Sequence, residues 1–341
     1  MANLALVSFR LGGTDGVAVE SAKWTAALRS LGHHVTTVAG EGEADVILEG
    51  LAMSAPVPPS PHQLEEALRG VDLVIVENLA SLPLNPGARD VLYDVLEDRR
   101  AVFHHHDLAS QRPHLAHLEG PRDNPRWRHV TINELSRREL AEQGIEAVTI
   151  MNTFDCDPPL GNRQATRDAL GVTGETLVLF SSRALARKNI EGALTLCRAL
   201  DAVFWLLGPA EDGYESALEE VIEASGVEVR RGLTPAMSVH DAYGACDLVV
   251  MSSTWEGFGN PVLESVTHRR PLALHPYPVA AEIVAYGFDF FGLDEVERIA
   301  GFLATPDVSM LDANLEVARR HFNLESLAER LATLLASTGV A

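Results

Sequence analysis

The residues with most chemical potential lie in one stretch, Glu256-Gly257-Phe258-Gly259-Asn260-Pro261-Val262-Leu263-Glu264. An apolar run, Asp247 to Met251, precedes it and reads as a buried strand. Asn260 is placed to cap a following helix, with Pro261 at the first helical position, where its missing N–H costs nothing. Pro271 closes that helix. Val262, Leu263 and Val266 share one helical face, so Glu264 points away from it. Two carboxylates and the N–H groups of a helix start are thereby set beside a cleft, where an open parallel sheet binds ligands and an anionic group is favoured. Upstream, Arg183 and Lys188 flank a turn directly after the run Leu177–Phe180. Two cations at the carboxyl end of a strand suit a diphosphate, Arg through paired contacts and Lys as a point charge. Alone they would read as solvated surface charges; sharing a sheet end with Glu256 and Glu264 raises them.

The N-terminal half holds three further candidates. Gly12-Gly13-Thr14-Asp15-Gly16 sits between a first strand and a first helix, where glycine lets backbone approach a phosphate. It does not fit the dinucleotide fingerprint, and an ordinary strand–helix turn is an even alternative. His104, His105 and His106 end another strand; only His104 and His106 can face the same side. No neighbouring Cys or Glu completes a tetrahedral set, so no metal is expected and His106-Asp107 is the pair of interest. The loop Leu108–His129 carries Arg112, Arg122, Arg126 and Arg128 with three histidines against Glu119 and Asp123. Such a local positive field could steer an anionic small molecule, the bland alternative being a solvated loop.

The elements that must position these groups alternate. Strands are expected at 4–9, 34–38, 71–76, 101–106, 129–132 and 146–151, with a short one within 44–51. Helices are expected at 17–31, 63–69, 87–97 and 134–143. Asp157-Pro158-Pro159-Leu160-Gly161 reads as a hinge, after which the pattern restarts. Strands are expected at 177–180, 203–207, 227–230, 247–251 and 271–275, and helices at 190–200, 214–225, 237–243, from about 279, 310–321 and 324–336. Alternation of this kind implies parallel, doubly wound sheets, an α/β class with two Rossmann-like halves. The boundaries expected are 1–156 and 157–321, with 322–341 packing back on the first half.

With 341 residues, 46% hydrophobic and 22% charged, the chain is an ordinary globular composition of two-domain length. A formal net charge of −21 argues against nucleic acid and against docking on anionic lipid. No signal peptide or bilayer-length apolar run is read, so a cytoplasmic protein without membrane insertion is expected. Cys156, Cys197 and Cys246 are scattered and suggest buried thiols in a reducing compartment.

Taken together, Glu256 to Glu264 resembles the Glu-x7-Glu motif of retaining glycosyltransferases of family 4, which have the GT-B fold. Arg183 with Lys188, the Gly12-Gly13 loop and His106-Asp107 match further landmarks of that family in order, so the resemblance spans nearly the whole chain. It implies two Rossmann-like domains facing a central cleft, an acceptor-side first domain and a second domain that holds a nucleotide-sugar donor. Glu264 would bind the ribose hydroxyls. Glu256 and the backbone of Phe258, Gly259 and Asn260 would contact the donor sugar. Arg183 and Lys188 would neutralise the leaving diphosphate, helped by Gly12-Gly13 across the cleft, and His106 would lie near the reaction centre. A retaining, metal-independent hexose transfer without cofactor is implied, from a GDP-mannose or UDP-glucose/UDP-GlcNAc type donor to a small-molecule or saccharide acceptor. Arg112 and Arg126 suggest that this acceptor is anionic. Ser8–Val17 with His104–Asp107 also resembles in part enzymes that mannosylate glucosyl-phosphoglycerate, and no acceptor is assigned on it. Asp155-Cys156-Asp157 is an Asp-x-Asp, the pattern of metal-dependent glycosyltransferases of the other major fold; at a hinge it reads as a linker pair. A nucleotide-sugar epimerase of the same fold is the alternative. A nicotinamide-dependent dehydrogenase is disfavoured by the poor glycine fingerprint and by Val35–Val38 ending without an acidic residue.

Overall fold

The computed structural model describes residues 1–13 and 15–340; Thr14 of the glycine loop and Ala341, the end of the expected C-terminal segment, lie outside the described residues. The chain divides into two compact units, Met1–Thr153 with the segment from Leu324, and Phe154–Asn323. No described helix is long and apolar enough to cross a membrane.

In the first unit the described strands are β1 (Asn3–Leu11), β2 (His34–Gly42), β3 (Val46–Ile47), β4 (Leu73–Glu77), β5 (Ala101–His105), β6 (Trp127–Thr131) and β7 (Ala147–Thr149). They form one parallel sheet in the order β3-β2-β1-β4-β5-β6-β7. Every residue of β4 and β5 is buried, as a strand covered on both faces by helices requires. Alternation divides the core accordingly. Leu4, Leu6 and Ile75 pack with Trp24 and Leu28, whereas Ala5, Val7, Val74 and Val76 pack with Leu64, Leu92 and Leu96. The C-terminal helix Leu327–Thr338 adds Leu327, Leu331, Leu334 and Leu335 to the Trp24 side, closing that layer.

The second unit repeats the plan with β8 (Leu177–Phe180), β9 (Val203–Leu206), β10 (Val229–Arg231), β11 (Leu248–Met251), β12 (Leu272–Leu274) and β13 (Phe291–Gly292), in the order β10-β9-β8-β11-β12-β13. In each sheet the strand order reverses between two neighbours, β1 and β4 or β8 and β11. Loops diverge at the carboxyl ends of such a pair, which makes it the natural ligand position.

Three elements were not expected from sequence: helix Arg163–Leu170, strand β13 and helix Val296–Ala304. The first is polar in sequence and is held by tertiary contacts. Arg167 is buried and reaches Asp247 at 3.1 Å, and Arg163 pairs with the same carboxylate. Asn162 caps its start, accepting from the Ala165 N–H, and Gly171 ends it in the left-handed region, φ 68°. The helix after β11 runs Asn260–Thr267, so Asn260 is its first residue rather than its cap. Gly259 occupies the cap at φ 95°, and a Cβ there would meet the Tyr277 hydroxyl at 2.1 Å. Glycine is therefore obligatory on two grounds.

Candidate active site

At the β8/β11 switch point the sequence builds a partly buried ion cluster. After β8 the chain makes a short turn, Ala186–Lys188, and Asn189, at φ 50°, caps the helix Ile190–Ala199 by accepting from Gly192 N–H. That turn is stitched to the loop after β11. Ser252 Oγ donates to Lys188 O at 2.8 Å, and Thr254 N–H donates to Arg187 O at 2.9 Å. The side chains then meet. Lys188 Nζ lies 2.5 Å from Glu256 Oε1, and Arg187 lies 2.9 Å from Glu256 Oε2 while also donating to Trp255 O. Lys188 and Glu256 are only 7% and 8% exposed. Burial by itself would raise the Glu256 carboxyl, but Lys188 and Arg187 hold it below the ordinary range. Burial, with Arg187 and Arg183 nearby, draws the Lys188 ammonium down despite Glu256. Arg183 stands at the rim, half-buried and paired with Glu211. Two cations and a carboxylate leave net positive charge in a dry setting, which suits a polyanionic group.

Glu264 projects from the helix flank and is not part of this cluster. Its Oε2 accepts the Tyr243 hydroxyl at 2.6 Å. Phe258 is buried against Phe154 and Phe322, ring centroids 6.0 and 6.3 Å away, and its carbonyl accepts the Tyr277 hydroxyl. Its side chain is therefore core, and only backbone remains for a ligand role. Asp155 and Asp157 form a local turn, the Asp157 N–H donating to Asp155 Oδ1 at 2.9 Å.

At the β1/β4 switch point of the first unit, Gly12 has φ 76°, and a Cβ there would sit 2.5 Å from the Glu43 Cβ. At Gly13 a Cβ would lie 3.1 Å from Asp15 Oδ2. Asp15 caps helix Gly16–Ser30 and accepts from Arg10 at 3.0 Å. His106 follows β5 and is 4% exposed. The expectation that no carboxylate stands near the histidines is overturned. Glu77, opposite His104 in the β4/β5 register, sends Oε2 to His104 Nδ1 at 2.9 Å and to His106 Nε2 at 2.8 Å. Glu77 is distant from them in sequence, and strand pairing brings it in. Burial opposes its charge, yet the two rings hold its carboxyl at about 2. Burial lowers His104, on which Trp24 stacks at 4.0 Å, whereas Glu77, Glu20 and Asp107 outweigh burial and raise His106. Among the described residues these three converge within 4.8 Å as metal ligands could. Both rings already bond one carboxylate oxygen, so a cation would enter only by displacing two ring protons.

Three of the four arginines named in the long loop are paired with acids, while Arg128 donates to carbonyl oxygens, among them Ser337 O at 3.0 Å. Arg112 meets Asp107 at 3.0 Å, Arg122 lies 3.5 Å from Asp90, and Arg126 lies 3.7 Å from Asp98. The positive field read from the loop's own residues is thus offset by acids from outside it. Arg187, Glu77, Tyr243 and Tyr277 were missed in the sequence. Arg187 adjoins Lys188 and Glu77 ends an apolar run, which were usable signals; nothing marked the tyrosines.

Residues 162–308 match the family described as "Glycosyl transferases group 1". That segment of the second unit is therefore similar to a glycosyltransferase domain. The chain is also similar to a Thermotoga maritima protein named mannosylglucosylglycerate synthase, at 26% identity over 96% of this chain and 98% of the relative. A Petrotoga mobilis protein of the same name is 24% identical, covering 95% and 94%. Among solved structures, Anabaena HepE in complex with UDP and glucose superposes with a TM-score of 0.75 at 18% identity, covering 99% of this chain and 100% of that one. Sucrose-phosphate synthase from Thermosynechococcus elongatus gives 0.73 at 16% identity, covering 99% of each. These likenesses identify the fold of the chain as GT-B.

Proposed function

We propose that the protein transfers a hexose, with retention of anomeric configuration, from a nucleoside diphosphate sugar to a soluble anionic acceptor. The observation that carries this reading is the pairing of buried Lys188 and Glu256 with half-buried Arg187, Arg183 standing near, at the β8/β11 switch point. When a glycosidic C–O bond to diphosphate breaks, negative charge grows on the leaving oxygen while the sugar becomes oxocarbenium-like. Fixed cations aimed at the phosphate stabilise that separation without reorganising. Arg183 and Lys188 take this role; Glu256, with backbone around Phe258, Gly259 and Asn260, orients the sugar; Glu264 holds the ribose. The acceptor hydroxyl attacks on the face the diphosphate leaves, and its proton passes to the leaving phosphate oxygen. This needs neither the paired carboxylates of a retaining glycosidase nor a metal or cofactor.

The names of the full-length relatives favour a mannosyl donor and glucosylglycerate as acceptor. Glycerate supplies a negative charge that Arg112 and Arg126 would take in exchange for Asp107 and Asp98, their partners without acceptor. The first unit would take the acceptor, with Gly12, Gly13 and His106 at its switch point. Cys156, Cys197 and Cys246 are buried thiols, as suits the reducing cytoplasm. A thermal-shift screen in EDTA against GDP-mannose, UDP-glucose, UDP-GlcNAc and ADP-glucose tests the donor class. A true donor at about 100 times its Kd stabilises by about 2.7 kcal/mol, which raises Tm by several degrees. No shift with any of the four, or a shift that EDTA abolishes, would overturn the reading.

A further inference from the structure

We propose that Tyr243 is a positioning residue for Glu264, locking its carboxylate before a donor nucleotide arrives; this rests on the assignment of Glu264 to the ribose. Tyr243, in helix Val239–Ala245, is fully buried, and its hydroxyl donates to Glu264 Oε2 at 2.6 Å. A phenol has one proton. With that proton on the carboxylate, Ser181, 2.8 Å away, must donate its own to the Tyr243 oxygen. Ser181 directly follows β8. A relay Ser181→Tyr243→Glu264 therefore ties the carboxylate to the strand whose end carries Arg183 and Lys188.

A second relay holds the backbone of the same residue. The carbonyl of Glu264 can only accept, so His268 Nδ1, at 2.7 Å, carries a proton and donates it. Burial draws His268 down to about 4, so the ring is neutral at pH 7 and its Nε2 is an acceptor. His240 Nδ1 lies 3.0 Å from that Nε2 and supplies the donor. The His268 ring also stacks on Tyr243 at 4.5 Å and 18°, so the two relays brace each other. Burial and the Glu264 charge push the Tyr243 phenol far above its usual range, which keeps it a neutral donor. A glutamate otherwise loses rotamer freedom when it engages a ligand; here that loss is incurred on folding, and binding is the tighter for it.

Tyr243→Phe keeps the ring and its stacking and removes only the hydroxyl. The test is isothermal titration of GDP and UDP and their 2′-deoxy counterparts into the full chain, comparing wild type, Tyr243→Phe, Ser181→Ala and Glu264→Ala. Wild type should prefer the ribonucleotide by about 10-fold, and Glu264→Ala should abolish the preference. Tyr243→Phe should cut it to about 3-fold or less with deoxynucleotide affinity unchanged, and Ser181→Ala should fall between. If Glu264→Ala removes the preference and Tyr243→Phe retains it, Tyr243 does not position Glu264. Equal weakening of ribo and deoxy forms by Tyr243→Phe marks a merely structural role and also overturns the proposal. A preference that survives Glu264→Ala refutes the ribose assignment itself.

Discussion

Lys188 Nζ and Glu256 Oε1 lie 2.5 Å apart although the residues belong to loops after different strands, β8 and β11. The pair therefore fastens the two sides of the switch point to each other, and it is buried. Such a pair adds little net stability, but removing one partner strands the other charge. Glu256 retains Arg187 if Lys188 is lost, whereas Lys188 has no substitute for Glu256 in this cluster. Glu256→Ala should accordingly destabilise more than Lys188→Ala, by about 3 kcal/mol or more. Both should lower kcat about 100-fold or more. Thermal melts and steady-state kinetics of the two variants check this. Unchanged turnover would remove the pair from the mechanism.

In the first unit, Glu77 is the acceptor for two buried rings, at 2.9 and 2.8 Å. Glu77→Ala leaves both ring N–H groups without that acceptor, at about 1–3 kcal/mol each. Differential scanning calorimetry should show Tm falling by roughly 5–15 °C. Glu77→Gln keeps one acceptor oxygen and should fall less.

Stability should decline in mild acid. Burial holds His105, in the first unit, well below 6.5 and His268, in the second, at about 4. Both folded-state values are depressed. The unfolded chain therefore binds protons below about 6.5 that the folded chain refuses until the folded pKa is reached. Stability is full above that range and is lost as pH falls, by about 1.4 kcal/mol per pH unit for each histidine. Urea unfolding at intervals between pH 7 and pH 4.5 checks the slope, and His268→Asn should flatten it for the second unit.

Much of the architecture was legible because β4, β8 and β11 are unbroken apolar runs and their helices carry regular apolar spacing. Helix Arg163–Leu170 was illegible since its stability comes from Asp247, far along the chain. Glu77 was invisible beside His104 because strand register, not sequence distance, pairs them. The assignment of the cap to Asn260 failed by one residue: Gly259 reaches φ 95°, which a side-chain rule for caps does not anticipate. Charge read along the loop from Leu108 also misled, since Asp90, Asp98 and Asp107 enter from outside it.

An anionic acceptor should depend on Arg112 and Arg126 unequally. Arg112 is held near His106 by Asp107, and its side chain is 20% exposed, whereas that of Arg126 is 58% exposed. Screening weakens an exposed charge more. Arg112→Ala should raise the acceptor KM about 10-fold and Arg126→Ala by less, with donor KM unchanged in both. Kinetics with acceptor varied at fixed donor checks this; no change in either variant would make the acceptor's charge irrelevant.

Retaining hexose transfer from a nucleotide donor can be read from proton NMR of a single reaction. The full-length protein is incubated in EDTA with GDP-mannose and glucosylglycerate, and the anomeric region is followed in time. Loss of the donor's α-mannosyl signal, release of GDP and a new α-configured mannosyl linkage on the acceptor are expected. A β-configured product, or an epimerised donor formed equally well without acceptor, would contradict retaining transfer.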